Sequence, residues 1–149
     1  MKRKEFMERI NQIDPETPES LDLLADLFEE DYLSSKKDLS DRQTVEELLS
    51  QAKSDLDSYE EKYDAIRLKI EKELRRAGAT EAQINWGLYG NVELSTGAYF
   101  KCNFMAKKLI RYSYQILYCL AELKMLSKYI DIGIPDLKQI RQDYGRRYG

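Results

Sequence analysis

The sequence predicts an all-α fold, a helical bundle built on two long antiparallel helices covered by short ones. Three observations predict it. Apolar residues recur at spacings of 3 and 4 along most of the chain, the period of a helix face. Seven glycines and three prolines in 149 residues leave few turns, too few for a many-stranded sandwich or barrel. Capping residues also stand just before several of the apolar stripes, which is where a helix start needs them.

A first short helix is expected over 2–13, where Phe6, Ile10 and Ile13 share a face. The stretch DPETPES interrupts it. Thr17 followed by Pro18 reads as a cap with proline at the first helical position, opening a second helix over 18–33 with Leu21, Leu24 and Phe28 on one face. Ser40 with Gln43 three residues on has the form of a capping box, and it introduces the first long helix, 41–77, which Gly78 ends. Along that helix Val45, Leu49, Ala52, Leu56, Tyr59, Tyr63, Ile66 and Ile70 keep a 4-3 alternation, a heptad seam. At 1.5 Å per residue the helix is about 55 Å long.

Thr80 and Gln83 form a second capping box, for a short helix over 81–88. The segment from Trp86 to Gly97 holds three of the seven glycines and the single tryptophan, and has no helical period. Ser95 or Thr96 then caps the second long helix, 96–131, whose seam runs through Cys102, Met105, Leu109, Tyr112, Ile116, Cys119, Leu123, Leu126 and Ile130. Matched seams and similar lengths predict antiparallel pairing of the two long helices. A last short helix is expected over 136–144, and the chain reads as one domain, 1–149.

The two long helices differ in one respect that bears on function. Opposite its seam the first carries Glu47, Ser50, Ser54, Asp57, Glu61 and Asp64, as a helix with one buried stripe should. The second carries Ile110, Tyr114, Leu117, Tyr118, Ala121 and Met125 there, a second apolar stripe. Large exposed apolar patches mark interaction sites, so this stripe must be covered, either by the short helices or by a partner. Four of the eleven tyrosines lie between Tyr99 and Tyr118, a residue type suited to surfaces that are part wet and part dry.

Charge is segregated. Residues 1–100 hold 14 basic and 23 acidic side chains, and residues 101–149 hold 10 and 4. Such asymmetry can form a docking face, or it can be neutralised within the bundle.

Catalytic chemistry has little to stand on. With no histidine there is no Ser-His or Cys-His pair and no imidazole ligand. Neither phosphate-cradling glycine motif occurs. Cys102 and Cys119 stand 17 apart, without the spacing of a zinc site, and both fall on the seam as small apolar fillers. No metal or cofactor is expected.

The reading that follows is a non-enzymatic protein–protein interaction module, binding a macromolecular partner or forming a homodimer through aromatic and apolar helix surface. The candidate contacts are Trp86 and Tyr89, then Tyr114, Leu117, Tyr118 and Met125, and a C-terminal group of Tyr144, Arg146 and Arg147. That terminal mixture of cations and aromatics also suits phosphate contact with base stacking, although direct nucleic-acid binding is not expected.

An alternative is an acidic mimic that blocks a nucleic-acid-binding protein. Its carboxylates would be Asp22, Asp26, Glu29 and Glu30, or Asp57, Glu61 and Asp64. A more distant alternative is a Mg²⁺-dependent all-α nucleotide pyrophosphohydrolase, built on the Glu16–Glu19 and Glu61–Asp64 pairs. The basic start MKRKEFMERI has no apolar run behind it, and the apolar-rich stretch Ile110 to Leu126 is broken by charges. A cytoplasmic protein with no membrane partner is therefore expected.

Overall fold

The computed structural model describes residues 1–35, 37–85 and 94–130, apart from the Asn85 side chain. The described residues form five helices and no strand: α1 (Arg3–Asn11), α2 (Ser20–Ser34), α3 (Arg42–Arg76), α4 (Glu81–Asn85) and α5 (Thr96–Leu126). The chain is an all-α bundle in which α3 and α5 are the long members. No helix among the described residues is long and apolar enough to cross a membrane. The expected helix over 136–144, and the part of the 81–88 expectation beyond Asn85, lie outside the described residues.

Local chemistry explains where each helix begins and ends, and in places it moves a boundary. Thr17 does not cap α2. Its hydroxyl donates to the Asp14 carbonyl (3.0 Å), the Asp14 carboxylate accepts from the Glu16 N–H (3.0 Å), and these turns consume the residues around Pro15 and Pro18 before the helix opens at Ser20. The cap of α3 is Asp41 rather than Ser40. Its carboxylate accepts from the Thr44 N–H (3.2 Å), while the Ser40 hydroxyl turns back to Asp38.

Gly78 stops α3 as expected. It takes φ +90, its N–H donates to the Arg75 carbonyl (3.0 Å) and the Ala79 N–H reaches the Leu74 carbonyl (3.0 Å), which together make a Schellman turn. The Thr80–Gln83 box forms in both directions, with Gln83 N–H to the Thr80 hydroxyl (3.1 Å) and Thr80 N–H to Gln83 Oε1 (2.8 Å). Ser95 caps α5 through the Ala98 N–H (3.3 Å). α5 ends at Leu126, short of the expected 131. The next residues close tighter turns, Lys128 N–H to Met125 O (3.1 Å) and Tyr129 N–H to Leu126 O (3.0 Å).

The chain divides into two compact units, with both boundaries inside the long helices. Among the described residues, the first comprises 1–58 and 114–130. In it Ile10, Leu24, Phe28, Val45, Leu49, Leu56, Ile116 and Leu123 are buried, and the Phe6 and Phe28 rings meet at 5.4 Å where α1 lies on α2. Burying each such side chain stabilises the fold by about 1.5–3 kcal/mol relative to leaving it exposed.

The second unit is Tyr59–Ser113. Its core is Ile70, Leu74, Ile84, Cys102 and Met105, with Ile66, Ala79, Leu94 and Leu109 packed against it. Here α3 and α5 run antiparallel, as expected. Tyr59 meets Tyr112 (6.3 Å between rings) at one end, and the Lys101 ammonium donates to Glu73 Oε1 (2.8 Å) at the other. Both seams are buried or half-buried at every position named from the sequence.

Candidate interaction surface

The second apolar stripe of α5 is covered over its C-terminal half by the chain itself. Leu117, Ala121 and Met125 join Ile116, Leu120, Leu123 and Leu126 in the core, so this half of α5 is buried nearly all round. α2 crosses it. The Tyr32 hydroxyl donates to Glu122 Oε2 (2.7 Å), Lys124 pairs with Asp22, and Lys128 reaches Glu29 Oε2 (3.4 Å). Leu117 and Met125 are therefore core residues and are withdrawn as partner contacts, because no partner can reach them without opening the bundle. Tyr114 and Tyr118 remain half-buried at the edge of this core, where burial pushes the Tyr118 phenol upward. Trp86, Tyr89, Tyr144, Arg146 and Arg147 lie outside the described residues.

The buried Tyr32–Glu122 pair is the most strongly perturbed polar contact. Burial raises the Glu122 carboxyl above the ordinary range against the pull of the Tyr32 hydrogen bond, and Asp55 and Asp31 push the same way as burial while Lys37 opposes. Tyr32 is pushed up by burial first and by the Glu122 charge second, so its phenol stays protonated. The pair lies in the packing of α2 on α5.

The acidic rows are partly neutralised within the chain. In the first unit Glu30 accepts from Arg9 at 2.7 Å, Asp22 pairs with Lys124, and Asp26 and Glu29 face Lys128 at 3.8 and 3.4 Å. Asp57 and Glu61 are exposed, and Asp64 is half-buried beside Arg67 (3.7 Å). Among the described residues, no three histidine, cysteine or carboxylate side chains are grouped so as to hold a metal ion. Both cysteines are buried and neither forms a disulfide, and burial raises the Cys102 thiol.

The exposed apolar surface lies at the other end of α5, in the second unit. Tyr99, Phe100, Phe104 and Ile110 are between 51% and 63% exposed. Phe100 and Phe104, followed by Lys107 and Arg111, stand at i, i+4, i+7 and i+11, one row on the helix surface. Tyr99 packs edge-on against Phe100 (5.7 Å), and the Lys108 ammonium sits 4.8 Å from the Phe104 ring centre. From Thr96 to Ala121 the chain has no carboxylate at all. Lys101 is engaged by Glu73, whereas Lys107, Lys108 and Arg111 have no carboxylate partner among the described residues.

Of this group the sequence reading named Ile110, as the first residue of its stripe, and Tyr99, as the first of four clustered tyrosines. The signal for the rest was present. Phe100 and Phe104 lie off the Cys102–Met105–Leu109 seam at helical spacing, in a stretch that carries only positive charge.

These features define an all-α helical protein with one aromatic and cationic helix face open to its surroundings. Comparison with family models, with curated proteins and with solved structures finds no match.

Proposed function

We propose that this chain is a non-enzymatic protein–protein interaction module whose contact surface is the open face of α5: Tyr99, Phe100, Phe104 and Ile110 with Lys107, Lys108 and Arg111. The observation that carries the reading is the contrast within one helix. Over its C-terminal half α5 buries apolar side chains on both sides, yet over its first half it leaves four large ones in water. Single exposed apolar residues such as Met7 or Leu68 are ordinary, but a contiguous group mixing aromatics with cations has the composition of an interface centre. Half-buried Tyr114 and Tyr118 continue the aromatic character along the helix.

The module works by binding and contributes no chemistry of its own, a reading supported by the lack of histidine. Two buried thiols outside any disulfide support a reducing, cytoplasmic setting.

A photo-crosslinking residue at Phe104, compared with one at exposed Asp57, tests the reading in cells that express the chain. A discrete adduct is expected from position 104 and none from 57. The same sparse pattern from both positions overturns it.

A further inference from the structure

The outer face of α2 is not uniformly polar. Leu23 and Leu33 remain about half exposed, ten residues apart, on a face that also presents Glu19, Asp22, Asp26 and Glu30. On α5 the exposed Phe100 and Ile110 are likewise ten residues apart, with Lys107, Lys108 and Arg111 among them. Ten residues of helix span about 15 Å, so the two faces share an apolar spacing and carry opposite charge.

A cleft of about 330 Å³ opens beside Leu23, where α1 meets α2, lined by Arg9, Ile13, Leu23, Leu27, Asp26 and Glu30. Ile13, Leu23 and Leu27 give it an apolar wall, and its polar side holds Gln12 and two carboxylates against the single Arg9 guanidinium, a seat for a ring that has cations on neighbouring turns of its helix. Asp26 and Glu30 already have in-chain partners but stay 74% and 56% exposed, and a carboxylate accepts more than one donor.

We infer that the partner of the α5 face is a second copy of this chain: the Phe100–Phe104 row of one copy docks against the Leu23–Leu33 face of α2 in the other. A phenyl ring enters the α1–α2 cleft, and Lys107 and Arg111 face Asp26 and Glu30. The inference rests on the α5 face being the contact surface, and it names what that surface binds. Each copy offers both halves of the contact, so reciprocal pairing closes a dimer and one-way pairing grows an open chain.

Sedimentation equilibrium on the full chain tests this. Association is expected, weakening roughly tenfold between low and high salt because the paired charges are screened. Charge reversal on one side, Asp26→Lys with Glu30→Lys, or on the other, Lys107→Glu with Arg111→Glu, should weaken it about a hundredfold through like-charge contact. The four substitutions together restore opposite charges and should restore association, which a misfolded variant could not do.

A wild-type chain that stays monomeric overturns the inference, as does a four-fold variant that fails to recover. If the monomeric chain binds a different protein and Phe100→Ser with Phe104→Ser abolishes that binding, the second copy is ruled out and the interaction module stands. If the same face of a monomer takes up single-stranded oligonucleotide or anionic vesicles, or no binding responds to the two serines, both readings fall.

Discussion

Tyr32→Phe isolates the one buried carboxylate contact that joins α2 to α5. The substitution leaves the ring in place and removes only the hydroxyl that donates to Glu122 at 2.7 Å. Its cost depends on the charge of its partner. When the carboxyl is ionised, losing a donor to a buried charge costs about 1.5–3 kcal/mol, whereas losing a hydrogen bond to the neutral acid costs about 0.5–1.5 kcal/mol.

The direction of the pH dependence follows from Glu122. Burial holds its carboxyl above the ordinary range, so the folded chain keeps a proton that the unfolded chain has released. Stability therefore falls as pH rises from the unfolded carboxyl value, near ~4.3, through the raised folded value. Tyr32 stabilises the charged form, so its loss raises the folded value further and widens that window. Denaturant unfolding of wild type and Tyr32→Phe near pH 4 and near pH 8 should give the smaller cost in acid and the larger cost in base. In a Glu122→Gln background this pair's contribution to the pH slope should vanish, and Tyr32→Phe should cost only about 0.5–1.5 kcal/mol at both values. Equal costs at the two pH values, or an undiminished cost once the carboxylate has been replaced by the amide, refute the account.

Other outcomes follow from the same structure. Gly78→Ala meets no atom within 4 Å of a new Cβ, so its destabilisation should come from φ +90 alone, about 1–2 kcal/mol by thermal unfolding. Asp41→Ala should cost about 1 kcal/mol as a lost helix cap and Ser40→Ala within about 0.5, which denaturant midpoints can separate. Leu123→Ala should lose about 2–5 kcal/mol, while Phe104→Ala, more than half exposed, should stay within about 0.5; the pair distinguishes core from contact surface in one melting experiment. Cys102, buried and with its thiol raised, should react with a thiol reagent only at the rate at which its unit opens, and fast labelling of the native chain would contradict its packing.

The helical architecture was legible because helix periodicity is repeated many times over. One misplaced residue in a seam of eight does not alter the period, and both seams were read correctly except for Ile130, which falls beyond the end of α5. Boundaries were legible only where the signal was redundant. Gly78 combines a positive φ with two backbone hydrogen bonds back into the helix, its own N–H to Arg75 and that of Ala79 to Leu74, and Thr80–Gln83 bonds both ways, whereas Ser40 and Asp41 are adjacent candidates and only geometry shows which hydroxyl or carboxylate faces the helix. The candidate site was less legible. Periodicity reports that a residue lies on an apolar face but not whether another helix covers that face. Leu117 and Phe104 look alike in the sequence; Leu117 is buried in the core, while the Phe104 ring faces water.

Charge carries the information that apolarity lacks. Where α2 crosses α5, the latter bears Glu122, Lys124 and, just beyond its end, Lys128, each answered by Tyr32, Asp22 or Glu29. Over the first half of α5 the cations beyond Lys101 lack such answers among the described residues, and the rings beside them are exposed. A cation beside an aromatic ring is compatible with permanent solvent exposure, but desolvating it without an anion is costly. Any surface that covered Phe100 and Phe104 would therefore have to bring negative charge together with apolar area. A neutral apolar partner would bury Lys107 and Arg111 unpaired, and a purely acidic one would leave the rings in water. An acidic helix with exposed leucines, such as α2, meets the requirement.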